Sequence, residues 1–229
     1  MSWRADFDWA SEGDPSSELS AAMVQAFAAS MPTRYGVLFD PRAIRRHAAI
    51  AYRRGKRAAH AEVWRALADG TAALCVVAED RPGLLSAIAA ALVSHKMDVI
   101  TALVFSRVAG GGDVEAVDFL WVRRSLSSDT AAIGADEAES ISEVLSAILG
   151  GTVSIEEIAS RTAVGSPPTD KQVAVRFEPA DEDGRAVLLV EAPDRPGMLL
   201  TITRELFQHG TQIARSLVRT ADGLSLIHI

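Results

Sequence analysis

At 229 residues the chain can hold one large domain or two small ones, and either buries a sizeable core. It is 48% apolar and 23% charged with a formal net charge of −7, a balance that argues against nucleic acid or anionic lipid as a bulk electrostatic partner. The single cysteine, Cys75, permits no internal disulfide and there is no bilayer-length apolar run or apolar leader, so a soluble cytoplasmic protein is expected.

In chain order, Met1–Ser17 reads as a loose polar leader. A helix follows, with Ser17 as its N-cap, Leu19, Met23, Phe27 and Met31 at four-residue steps, and Pro32 as its stop. A second helix starts with Asp40 as cap and Pro41 in its first turn, and is predicted to run from Arg42 to Ala68 with a break at Gly55. Its cationic stretch "RRHAAIAYRRGKR" (Arg45–Arg57) is expected to be a helix face docked on acidic protein surface. Residues 1–70 are thus read as a leader and a helical segment.

From Thr71 the period changes. "TAALCVVAE" is an apolar run of strand length, with Cys75 as a small core residue. "PGLLSAIAAALVSH" is an amphipathic helix, "DVITALVFSRV" a strand, "AGGGD" a turn, and "VEAVDFLWVRR" the returning strand. "DEAESISEVLSAILGG" is a helix with acids in its first turn and glycines after its last. One further strand would complete a βαββαβ unit of the ferredoxin-like class over residues 71–150. "KQVAVRFEP" (Lys171–Pro179), in the linker of residues 151–184, could be that strand or belong to the next unit.

Residues 185–229 then repeat the opening of that unit at an offset of 114. Between Asp80–Val104 and Asp194–Val218 ten of twenty-five positions are identical: DRPG itself, then Leu85/Leu199, Ile88/Ile202, Leu92/Leu206, His95/His209, Leu103/Leu217 and Val104/Val218. A duplicated α+β unit is the economical explanation. The second copy stops at "GLSLIHI" with its returning strand barely begun and its second helix and last strand missing, so a truncated reading of a longer chain is expected.

DRPG joins a strand to a helix in both copies. Asp can cap, Pro fits a first turn, and Gly lets a backbone or ligand approach closely. The unpaired N–H groups of the helix N-terminus suit a carboxylate or phosphate. His95 and His209, at the ends of the repeated helices, are expected to stabilise those ends.

The motif, its flanking periodicity and its duplication resemble the ACT domain, a small regulatory module that binds amino acids and related effectors. The resemblance covers about Thr71–Ile229 and implies a ligand at an interface between units. Carried over, the contact positions are Asp80, Arg81, Pro82, Gly83, Leu84 and Leu85 in the first unit. In the second they are Asp194, Arg195, Pro196, Gly197, Met198 and Leu199. Where many members have Gly-x-Asn-Ile before the second strand, this chain has Asp98 in "KMDV" and Gln212 in "GTQI". Asp98 would repel a carboxylate and pair with an ammonium, whereas Gln212 could hydrogen-bond an amino acid.

A narrower resemblance is to the C-terminal regulatory region of PII uridylyltransferases, which carry two tandem ACT units with such corners. It begins near Thr33 with "TRYGVLFDPRAIRRH" and takes in "VAVRFEPADEDGRAVLLVEAPDRPG". Those enzymes use two catalytic domains, and neither a nucleotidyl-transfer motif nor a His-Asp metal motif is found here, so no catalytic residue, metal or cofactor is expected. The expected function is amino-acid sensing, with glutamine as the leading ligand and a homo-oligomer or protein partner joined through the sheets. Two alternatives stand beside it: a regulatory fragment of such an enzyme, and a ligand-free ACT dimerisation module.

Overall fold

The computed structural model describes residues 19–67, 70–125, 132–162, 173–180, 184, 186–193, 195–211, 213, 217–221 and 224–228. Helix α1 (Ala21–Ser30) is capped by Ser20, whose hydroxyl accepts from the Met23 N–H at 3.3 Å; the expected cap, Ser17, lies outside the described residues. Pro32 separates it from the short α2 (Thr33–Leu38). In α3 (Pro41–Arg54), Asp40 Oδ1 accepts from the N–H groups of Arg42 and Ala43, both at 2.9 Å, with Pro41 in the first turn as expected.

The helix does not reach Ala68. It ends at Gly55, which takes φ 55°, and Ala59–Ala66 forms strand β1. Ala59 and Val63 suit a four-residue step, but Ala59, Ala61 and Val63 suit a two-residue step equally well, and tertiary pairing decides between them. The neighbouring strand β2 (Ala72–Glu79) is buried along nearly its whole length and needs a partner on each side, and β1 supplies one.

The first half continues with α4 (Leu84–Ser94), β3 (Met97–Leu103), β4 (Ser106–Val108), β5 (Val114–Arg124), α5 (Ala135–Leu149) and α6 (Ile155–Thr162). The glycines of "AGGGD" make the turn between β4 and β5, where Ala109 N–H donates to Asp113 O at 2.8 Å. β2 and β3 both pair antiparallel with β5, so they run parallel to each other around it, as in a split β–α–β unit. The fourth position of this sheet is filled from in front, by β1, rather than by a strand after α5.

The second half uses the same plan. Strand β6 (Ala174–Glu178), from the segment left between two units by sequence, pairs with β7 (Val187–Pro193). After α7 (Met198–Gln208) come β8 (Leu217–Ala221) and β9 (Leu224–His228). The returning strand expected to be barely begun is formed: β9 pairs five residues with β7 and five with β8. The sheet position expected to lack its last strand is filled by β6.

All pairings are antiparallel, in the order β1-β2-β5-β3-β8-β9-β7-β6, with β4 on β5. That order is a palindrome of corresponding strands. The central pair fits it, because Leu103 lies opposite Leu217, its own counterpart 114 residues on. The two halves therefore meet about an approximate two-fold axis through β3 and β8. The architecture is α+β and compatible with ferredoxin-like units.

Two cores flank the sheet of the first half. One packs Leu74, Val76, Leu120 and Val122 against α4 and α5. The other packs Val77, Phe119 and Trp64 against Phe27, Tyr35, Phe39 and Ile50 of the N-terminal helices, which form a third layer. The cationic patch docks on acidic groups as expected. Arg53 grips Glu62 with two bonds of 2.8 and 2.9 Å, Arg54 reaches Glu115 at 2.8 Å, and Arg57 reaches Glu139 at 3.2 Å. Among the described residues no helix is long and apolar enough to cross a membrane.

Candidate functional site

The first corner begins where β2 ends. Asp80 N–H donates to Val114 O at 3.0 Å, and Asp80 Oδ2 accepts from the Ser106 hydroxyl at 2.6 Å. Asp80 is therefore held by the sheet and does not cap α4. The N-cap is Gly83, in the left-handed region at φ 82°, with no side-chain cap bond, and Pro82 stands before the helix rather than in its first turn. A turn bond from Leu84 N–H to Arg81 O (3.1 Å) closes the corner. The second corner repeats this: Gly197 at φ 75° is the cap of α7, and Met198 N–H donates to Arg195 O at 3.2 Å. Asp194 lies outside the described residues.

Arg81 turns away from the helix terminus and donates to Leu149 O, at the C-terminal end of α5. His95 ends α4 as expected: its Nδ1 sits 2.8 Å from Ala91 O and its Nε2 3.0 Å from the Ser140 hydroxyl of α5. His209 ends α7. Cys75 is a buried free thiol whose pKa is pushed up by burial and by the carboxylates of Glu62, Asp118 and Glu115.

The two halves touch corner to helix. A Cβ added at Gly83 would lie 2.9 Å from the Phe207 ring of α7, so that ring sits on the first corner. A Cβ at Gly197 would lie 3.9 Å from Val93 of α4. Val93 and Phe207 are counterparts in the repeat, as are Gly83 and Gly197, so the two contacts are one contact repeated by the two-fold relation with a larger side chain on one side.

Between the first corner and α7 is a cavity of about 30 Å³, room for a water-sized group. Asp80, Arg81, Gly83, Leu84 and Leu85 line it, as do Ser86, Ser106 and Asp118, which sequence reasoning missed. The second half contributes Thr203, Phe207, Thr211 and Ile213. Asp118 is 1% exposed, and its Oδ1 accepts from Phe105 N–H at 3.3 Å. Burial, with the nearby Asp80 charge, pushes its carboxyl up to about 8 against the weaker pull of that hydrogen bond. The signal that could have found it is a carboxylate inside the otherwise apolar run "AVDFLWV" (Ala116–Val122).

Asp98 is not brought to the first corner. It lies on β3 opposite Arg123, beyond the C-terminal end of α4, whose 11 residues span about 16 Å. The segment that does reach this corner carries Thr211 and Ile213, and the residue between them, Gln212, lies outside the described residues. The counterparts of those two residues in the repeat are Met97 and Val99, which flank Asp98. At the second corner Leu199 is buried in the core, while Arg195 and Met198 line a separate, apolar cavity of about 350 Å³. Val175 of β6 and Ile202 of α7 also face it, on the side that α5 covers in the first half.

No protein-family model matches the chain, and no solved structure matches it. Its relatives include bifunctional uridylyltransferase/uridylyl-removing enzymes. That of Nitrobacter hamburgensis is 27% identical over 159 residues, that of Nitrobacter winogradskyi 27% over 158, and that of Bradyrhizobium diazoefficiens 28% over 156. The matches take in 67%, 67% and 66% of this chain. The chain spans 16% of the length of these relatives, and what it shares with them is that part.

Proposed function

We propose that the chain is a regulatory module related to part of the uridylyltransferases, with two ACT-like units that bind an amino acid, glutamine first among the candidates, between them. One observation carries the reading: the repeated corner of the first half is closed by a helix of the second, with a cavity of mixed polar and apolar lining at the contact. A ligand that binds there reports on how the halves are arranged. The relatives support the regulatory setting. The module itself performs no catalytic step in this reading, and a buried free thiol such as Cys75 is at home in a reducing cytoplasm.

The cavity is too small for a whole amino acid, so binding requires Phe207, 42% exposed, to leave Gly83. The ligand then stabilises the opened arrangement by its preference for that state over the closed one. Thermal unfolding with each of the twenty amino acids tests this. A selective, concentration-dependent rise in Tm is expected, and it should strengthen in Phe207→Ala, where the ring no longer has to move. A flat panel in both proteins overturns the reading.

A second reading, a ligand-free dimerisation module, draws on the edge strand β6, where Val175 is 59% and Phe177 77% exposed. Exposed apolar edges invite pairing with a second copy. A protein that stays monomeric in sedimentation at high concentration excludes it.

A further inference from the structure

We propose that the cavity between the first corner and α7 is a subsite for a primary ammonium group, held by the carboxylates of Asp118 and Asp80 and the hydroxyls of Ser86 and Ser106. It deepens the amino-acid reading by saying which end of such a ligand enters, but it stands on its own geometry.

Asp118 occupies an inward position of β5. Its neighbours on the same face, Ala116, Leu120 and Val122, are in the apolar core under α4. An unpaired carboxylate there costs several kcal/mol unless a partner is supplied. Its one hydrogen bond among the described residues is the 3.3 Å bond from Phe105 N–H, which leaves most of its acceptor capacity unused. Asp80 uses one oxygen for Ser106. Neither aspartate makes an ion pair among the described residues, and the one cationic side chain of the cavity wall, Arg81, donates to Leu149 O rather than to either of them.

The independent sign of a missing ligand is Ser86. It is 1% exposed, lines the same cavity, and its hydroxyl has no hydrogen-bond partner. Two carboxylates and a free hydroxyl around one void call for a donor that is also positive. An ammonium group has several N–H donors and fits about 30 Å³. A guanidinium is too large, and a hard metal cation such as Ca²⁺ asks for six to eight oxygens. Of the other walls, Val104 and Ile213 are apolar, so the carbon skeleton of a ligand would leave the cavity past Phe207.

The experiment is thermal unfolding of the full chain at about pH 8, where Asp118 is in part ionised. Ammonium chloride and methylammonium chloride are compared with potassium chloride at equal ionic strength. The expected result is a saturating rise in Tm with both ammonium salts over potassium. Asp118→Asn should weaken the apparent affinity at least about tenfold, the loss of one charge-assisted bond, and Ser86→Ala should weaken it by a smaller factor. Should Asp118→Asn fail to fold, Asp80→Asn takes its place. Potassium matching ammonium, or the aspartate variants responding like the parent, overturns the subsite. The two proposals fail separately: an amino-acid response that survives in Asp118→Asn without any ammonium response sinks the subsite alone, whereas an ammonium response with a flat amino-acid panel sinks the amino-acid reading alone.

Discussion

At the scale of single residues, the corner glycines are chemically alike and structurally unequal. Both sit at positive φ, where a Cβ is strained by about 1 kcal/mol. Only Gly83 has an aromatic ring where its Cβ would go, at 2.9 Å, against 3.9 Å at Gly197. Gly197→Ala is expected to cost about 1 kcal/mol and Gly83→Ala about 2–3 kcal/mol, read from denaturant unfolding. Adding Phe207→Ala should recover the difference between them and no more, because removing the ring relieves the clash and leaves the backbone strain. Equal costs at the two glycines would mean that Phe207 does not rest on the first corner. The corner itself was legible in the sequence, because an apolar strand-length run ahead of DRPG and a helical stripe after it point one way. Which residue caps the helix was not. Asp80 has the chemistry of a cap, but the hydroxyl of Ser106, from a strand 26 positions later, takes its carboxylate. A long-range bond of that kind leaves no local mark.

At the scale of elements, the same reason explains why the sequence predicts helix where β1 forms. Alanine-rich segments satisfy both periods, and the choice was made by β2, which needed an edge partner. Helix α5 shows how much the two halves differ beneath their shared motif. Arg81 holds a carbonyl at its C-terminal end, whereas the side chain of the corresponding Arg195 makes no hydrogen bond among the described residues and borders the open apolar cavity. Arg81→Ala should therefore cost about 1–2 kcal/mol of stability and raise amide exchange in the last turn of α5. Arg195→Ala should be close to neutral. A neutral Arg81→Ala would show that the end of α5 is held without this bond, by its apolar face through Ile141, Leu145 and Ile148 and by its other polar contacts, such as Ser140 with His95.

At the scale of the whole molecule, two buried groups on opposite faces of one sheet set opposing pH dependences. His47 lies in the aromatic layer, with its ring 4.2 Å from that of Phe119 and its Nδ1 2.8 Å from the Tyr35 hydroxyl. Burial, with Arg46 nearby, holds its pKa well below the usual 6.5. The unfolded chain therefore binds a proton there first, and the stability from His47 is lost as pH falls below about 6.5. Asp118 has the reverse sign. Its folded value of about 8 lies above the unfolded value of 3.8, so its contribution is complete below about pH 4 and lost progressively up to about pH 8. Below about pH 6.5 the two slopes offset each other for as far down as His47 stays neutral in the folded chain, and from 6.5 to 8 the Asp118 slope stands unopposed by His47. Cys75 and Tyr35, both pushed up by burial, add losses only above their ordinary values of 9.0 and 10.0. Stability should thus be nearly flat just below pH 6.5 and fall from there to pH 8. In Asp118→Asn the fall above 6.5 should vanish, and the flat region should become a rise toward 6.5 as the His47 slope is left unopposed. A parent protein that keeps or gains stability between pH 6.5 and 8 would mean that Asp118 is already paired with a cation in the folded chain. Repeating that titration in saturating ammonium should produce the same flattening in the parent, because a bound cation keeps the carboxylate ionised and removes its proton from the folding balance.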